Sequence, residues 1–167
     1  MTLYSAMGLS VAMLILAASP GPGVMATVAR ALSSGFRPAV AVIAGIVLGD
    51  ILFLMLATFG LSMVARVLGD LFFLVKACGG AYLVWLGFKI WTSGTGEKTH
   101  LKINGPRTGW ENFTGGLLIT LSNPKVILFY CGFLPTFLDL SALTFLDLTA
   151  VILIVTSVLS GVLATYA

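Results

Sequence analysis

The sequence predicts an all-α membrane protein, a polytopic bundle of transmembrane helices, and three observations carry that reading. Of the 167 residues, 59% are hydrophobic and only 9% charged, with a mean hydropathy of +1.09. Soluble domains run at roughly 45–50% apolar and about 25% charged. A soluble domain of this size buries only roughly 70% of the surface its unfolded chain exposes, so it cannot hide so much apolar surface, and disorder is excluded as well. Second, the apolar residues gather into five segments of about the length a bilayer-crossing helix needs. Third, the alternation of outer-membrane β-strands, in pieces of about 10 residues, is absent.

The first segment runs from Leu3 to Ala29 without a charge and is interrupted by Pro20-Gly21-Pro22-Gly23. Leu14 to Ser19 looks a little like a small-residue cleavage site. Met1 to Ser10 holds no Lys or Arg, however, and a signal peptide wants a positive start, so the segment is read as a retained span. The second, Pro38 to Ala65, carries Asp50 near its middle; the third, Leu71 to Phe88, carries Lys76. The fourth, Asn112 to Leu138, carries Lys125 and is interrupted at Asn123-Pro124, and the fifth, Leu148 to Ala167, is uncharged.

Basic residues orient the bundle. Arg30 and Arg37 fall between segments one and two, and Lys89, Lys98, Lys102 and Arg107 between three and four, six of nine basic residues on one face. Those two loops are placed in the cytoplasm and the N-terminus outside. The polar stretch 92–110 is rich in Gly, Thr and Lys and reads as a linker between two halves. The chain is therefore one transmembrane domain over 1–167: a three-helix repeat at 1–91, a cytoplasmic linker at 92–110 and an incomplete two-helix repeat at 111–167.

Little chemistry of the enzymatic kind is visible. The net charge of +3 is spread thinly, with no basic run interleaved with aromatics, so no nucleic-acid partner is implied. His100 is a loop residue, and Cys78 and Cys131 sit inside apolar segments without clustered carboxylates, so neither a metal site nor a cofactor is expected. No nucleophile elbow, phosphate loop or nucleotide fingerprint occurs. Gly45 and Gly49 form a small-xxx-small pair suited to close helix contact. Trp85, Trp91 and Trp110 suit the interfacial belt.

The informative feature is the pair of breaks, one in each half. Proline removes a backbone donor and clashes with the preceding turn, so each helix should split there. In lipid the freed groups must find partners or line a protected cavity. Interrupted helices at corresponding positions of two halves point to a transporter site between inverted repeats. Ser19, Pro20, Gly21 and Pro22, with Ser122, Asn123, Pro124 and Lys125, are the candidate substrate-binding residues. Half-helix N-termini would favour a carboxylate, and freed carbonyls, with the Ser19 and Ser122 hydroxyls, would accept from an ammonium group. Asp50 and Lys125 are ionisable groups deep in apolar segments, where charge costs at least about 2.5–3.5 kcal/mol and marks a pathway or a partner. Lys125 would meet the carboxylate, and Asp50 would hold the ammonium or carry the coupling proton. A simpler arrangement is a direct Asp50–Lys125 pair that holds segment two against segment four.

Pro20-Gly21-Pro22, Gly35, Gly45-Ile46-Val47-Leu48-Gly49-Asp50 and Gly60-Leu61 resemble the first half of the LysE/RhtB superfamily of amino-acid exporters. Lys76-Ala77-Cys78-Gly79-Gly80-Ala81-Tyr82-Leu83 and Leu86-Gly87 continue the likeness. So do Phe113-Thr114-Gly115-Gly116, Asn123-Pro124-Lys125 and Phe133-Leu134-Pro135 in the second half. The resemblance implies gradient-driven export of amino acids such as lysine, arginine, homoserine or threonine across a bacterial inner membrane. It also implies six helices, so the sixth is expected to be missing, as in a truncated product, and a homodimer would supply the absent surface. Gly23 stands where the family often has Asn. Export of a metal cation or other small solute, or a thiol-redox carrier using Cys78 and Cys131, are the alternatives; a non-transporting scaffold left by truncation is a third.

Overall fold

A computed structural model describes residues 1–61, 81, 84, 85, 88, 108–139 and 143–167. The sequence expectations on Lys76, Cys78, Gly79, Gly80, Gly87, Trp91, His100 and most of the linker lie outside these described residues. Within them every regular element is a helix and none is a strand. In chain order these are α1 (Leu3–Ala18), α2 (Pro22–Ser34), α3 (Phe36–Leu56) continued by a π-helical turn (Ala57–Leu61), α4 (Gly109–Leu121), α5 (Pro124–Leu128), a second π turn (Phe129–Phe133), α6 (Leu134–Phe137) and α7 (Phe145–Tyr166).

Local chemistry sets the starts. Three of these helices open on a threonine whose hydroxyl accepts from the backbone of the first turn: Thr2, Thr108 and Thr144. Thr108 with Glu111 and Thr144 with Asp147 are complete capping boxes, each satisfying two orphan donors reciprocally. The Met1 amino group also pairs with Asp147.

Both breaks fall where the prolines predict. α1 meets α2 at 56°, and α4 meets the helical run 124–137 at 54°. Pro22 and Pro124 occupy the first helical position after each break, where the missing N–H costs nothing. Counting each bent pair as one span gives up to four candidate spans among the described residues, with Phe36–Gly60 and Phe145–Tyr166 as the straight ones.

One expectation is corrected. The sequence places Arg30 and Arg37 in a loop, but no loop of that length exists. α2 runs on to Ser34 and α3 begins at Phe36, so Gly35 alone joins them. Its φ of +87° is a conformation that side-chain-bearing residues rarely adopt. Arg30 lies within α2, 4% exposed, and its guanidinium donates to Ser34 Oγ at 3.2 Å. A charge read as a span's end is here a helical residue, because nothing breaks α2 before Gly35.

The most extensive packing is α3 on α4, with α2 on α3 and α1 on α7 next, so the second bent span rests on the straight span of the first half and the first bent span lies against both straight spans. The α3–α4 contact is backbone on backbone. A Cβ at Gly45 would collide with the Phe113 carbonyl, one at Gly116 with the Val42 carbonyl, and one at Gly49 would sit 2.7 Å from Thr120 Cβ. The small-residue spacing on α3 is thus a helix-crossing device, as expected. Outward faces carry Tyr4, Ile15, Leu32, Phe145, Leu146 and Leu153, a surface suited to lipid rather than water.

Two buried apolar clusters divide the interior. One gathers Leu9, Met13, Leu54, Phe129, Leu134, Val151 and Val155; the other gathers Ala17, Val24, Val42, Ile46, Leu159 and Leu163. Along α3, Ile46 belongs to the second cluster and Leu54 to the first, and Asp50 lies between them, one turn from each. The interior is therefore apolar, polar, apolar in sequence.

Candidate functional site

The polar layer is built by the two breaks. Pro20 has no N–H for the Leu16 carbonyl four residues earlier, and Pro22 has none for Ala18. Both freed acceptors are served from the other half of the chain. Lys125 Nζ donates to Leu16 O at 2.7 Å and to Ser19 O at 2.9 Å, and Tyr166 OH donates to Ala18 O at 3.0 Å. At the second break the repair is local. The Thr120 carbonyl, deprived by Pro124, accepts instead from Asn123 N at 3.0 Å. Asn123 Oδ1 accepts from Lys125 N at 3.1 Å, capping α5.

A cavity of about 40 Å³ lies between the breaks. Ser19, Gly21, Asp50, Thr120, Asn123 and Lys125 form its polar wall, and Val24, Ile46, Leu159 and Leu163 are among the apolar lining. That volume holds a few waters and is smaller than an amino acid.

Asp50 is 2% exposed and attracts Lys125 across this space. The two do not touch: they form no ion pair within 4 Å, unlike Met1 and Asp147. The direct pair weighed from the sequence is therefore not formed, and Lys125 binds carbonyls instead. Tyr130, fully buried, faces the Asp50 carboxylate without closing a hydrogen bond of ordinary geometry.

Of the candidate residues, the cavity brings together Ser19, Gly21, Asp50, Asn123 and Lys125. Pro20, Pro22 and Pro124 shape the breaks without lining it. Ser122 is exposed, and its hydroxyl turns back to Leu118 O at 2.8 Å within α4. Thr120, Tyr130, Tyr166 and the α7 leucines escape sequence reasoning. The prolines do signal that Leu16 and Ala18 lack donors, but not which side chains serve them. Cys131 is exposed on the second π turn, away from the cavity. Among the described residues no three His, Cys, Asp or Glu side chains converge as a metal site would require.

Tyr166→Phe should leave the Ala18 carbonyl short of its donor. The expected loss is about 0.6 kcal/mol, the average for side-chain hydrogen bonds inside membrane proteins, read from unfolding in mixed detergent. No loss would mean another group serves Ala18.

Paired broken spans enclosing a charged layer between two apolar ones define a multi-pass membrane protein of the translocator class. The chain matches the LysE type translocator family over residues 14–167 and belongs to it. It is 38% identical over 156 residues to an uncharacterized membrane protein of Synechocystis sp., covering 93% of this chain and 75% of that one. It is also 30% identical over 123 residues to a leucine efflux protein of Enterobacter sp., covering 74% of this chain and 58% of that one. The aligned region is thus under two thirds of the length of the second relative. No solved structure matches.

Proposed function

We propose that the chain is a secondary exporter of amino acids, moving them out of the bacterial cytoplasm across the inner membrane under an ion gradient. The observation that carries the reading is the cavity itself: one acid, one ammonium group and backbone carbonyls freed from helical donors, lying between two matched helix breaks. A zwitterion has complementary charges at both ends. Lys125 would take its carboxylate, and Asp50 would hold its ammonium or carry the coupling proton. The apolar remainder, with Val24, Ile46, Leu159 and Leu163, favours an aliphatic side chain, and the likeness to a leucine efflux protein supports that choice over lysine or threonine.

The matched bends and the packing of bent on straight spans support inverted repeats at 1–91 and 111–167 joined by 92–110. Alternating access would then open either apolar cluster while the other stays closed. A host cell producing the chain and fed leucine-containing dipeptides should hold less internal leucine and tolerate more dipeptide than a control. Equal internal leucine would remove the proposed activity.

The orientation is tested independently. With Cys78 and Cys131 replaced, an impermeant thiol reagent applied to intact cells should label a cysteine at position 141 and miss one at position 93. The reverse pattern would invert the topology.

A further inference from the structure

The Leu16 and Ser19 carbonyls converge on one atom, Lys125 Nζ, at 2.7 and 2.9 Å. Leu16 O is free because Pro20 cannot donate to it. Ser19 O is free because Ser19 ends α1 with an extended ψ of 124°. The ammonium group that fills this pair comes from the opposite bent span, and its stem passes the bare face of Gly21, where a Cβ would lie 3.9 Å from Nζ. Two partly negative oxygens turned toward one cation are the acceptor set a primary ammonium needs, whatever molecule carries it.

We propose that this carbonyl pair is a primary-ammonium subsite, filled by Lys125 as a tethered ligand until an incoming zwitterionic amino acid takes the carbonyls with its own ammonium and draws Lys125 onto its carboxylate. The proposal rests on reading the cavity as an amino-acid site. The exchange replaces one N–H donor set by another, so no carbonyl freed by the break is left unserved. The substrate carboxylate meets the displaced Lys125, and Asp50 lies in the same cavity wall, so no cation is left unbalanced. Specificity follows. A carboxylic acid lacking the amine would draw Lys125 away and leave the carbonyls empty-handed. An amine lacking the carboxylate would take the carbonyls and strand Lys125. A fully N-methylated amino acid has no N–H to give. Only a molecule with a donating ammonium and a carboxylate close together satisfies every group.

Ethylammonium tests the subsite apart from transport. Purified Lys125→Met removes the tethered ligand, and Lys125→Leu, which likewise has no donor, guards against misfolding of the first variant. Ethylammonium should raise the thermal midpoint of whichever variant folds, saturably. It should leave the wild-type midpoint unchanged, and tetramethylammonium at equal concentration should raise none. An ethylammonium response that is absent in the folded variant, or matched by tetramethylammonium, would overturn the subsite. Leucine efflux from vesicles carrying the wild-type protein is a separate measurement. Efflux without a variant-specific ethylammonium response removes the exchange and leaves export standing. The response without efflux keeps the subsite and removes export.

Discussion

Export should fall on the order of 10–100-fold when Lys125 is replaced by Met, and net export driven by a gradient should stop when Asp50 is replaced by Asn. The first figure follows from losing one charge-assisted hydrogen bond worth about 1.5–3 kcal/mol, at tenfold for every 1.4 kcal/mol or so. The two variants should fail differently. Asp50→Asn keeps shape and hydrogen-bonding capacity while removing the exchangeable charge, so passive exchange of labelled for unlabelled substrate should survive. Lys125→Met removes the group proposed to meet the carboxylate, so exchange should be lost as well. Flux assays with and without an imposed gradient separate these outcomes. Because Asp50 and Lys125 do not touch, the double variant should be no better than the worse single one. Recovery of export in the double variant would show that the two charges only neutralise one another.

The largest structural effect belongs to the α3–α4 crossing. Gly116→Ala places a methyl group against the Val42 carbonyl, and Gly45→Ala places one against the Phe113 carbonyl. The obstruction is backbone, which cannot swing aside. Each change should cost at least the upper end of the about 1–3 kcal/mol typical of overpacking, and Leu at either position should prevent assembly. Gly115 is the control, one residue away on the same helix with nothing among the described residues within 4 Å of its Cβ position. Gly115→Ala should be neutral or slightly stabilising, since Ala exceeds Gly by about 0.8–1.0 kcal/mol as a helix former. Unfolding of the three alanine variants in mixed detergent reads the contrast. Equal behaviour of Gly115→Ala and Gly116→Ala would contradict the close crossing.

Much of this is legible in the sequence because it depends on local rules. The apolar spans, both breaks and the small-residue face of α3 follow from composition, proline chemistry and residue spacing. What the chain order does not supply is partnership across the bundle. Lys125 serves Leu16, 109 positions earlier, and Tyr166 serves Ala18, 148 positions earlier; proline marks the orphan acceptor, but tertiary packing selects the donor. Asp50 and Lys125 stand out as charges in apolar segments, yet whether they touch depends on how α3 sits against α5. Ser122 resembles Ser19 in position, but its hydroxyl finds an acceptor in its own helix, as serines near helix ends often do. Arg30 misleads because a charge usually marks a span's end, whereas helix continuity here is decided by the next breaker, Gly35.

The space between the breaks is proposed to carry an amino acid across the membrane. The most direct test reconstitutes the purified chain into vesicles preloaded with labelled leucine and imposes a proton gradient. Leucine should leave faster than from protein-free vesicles, and the gradient-driven component should be absent with Asp50→Asn. Efflux equal to that of protein-free vesicles, or a gradient response unchanged by Asp50→Asn, would contradict the account.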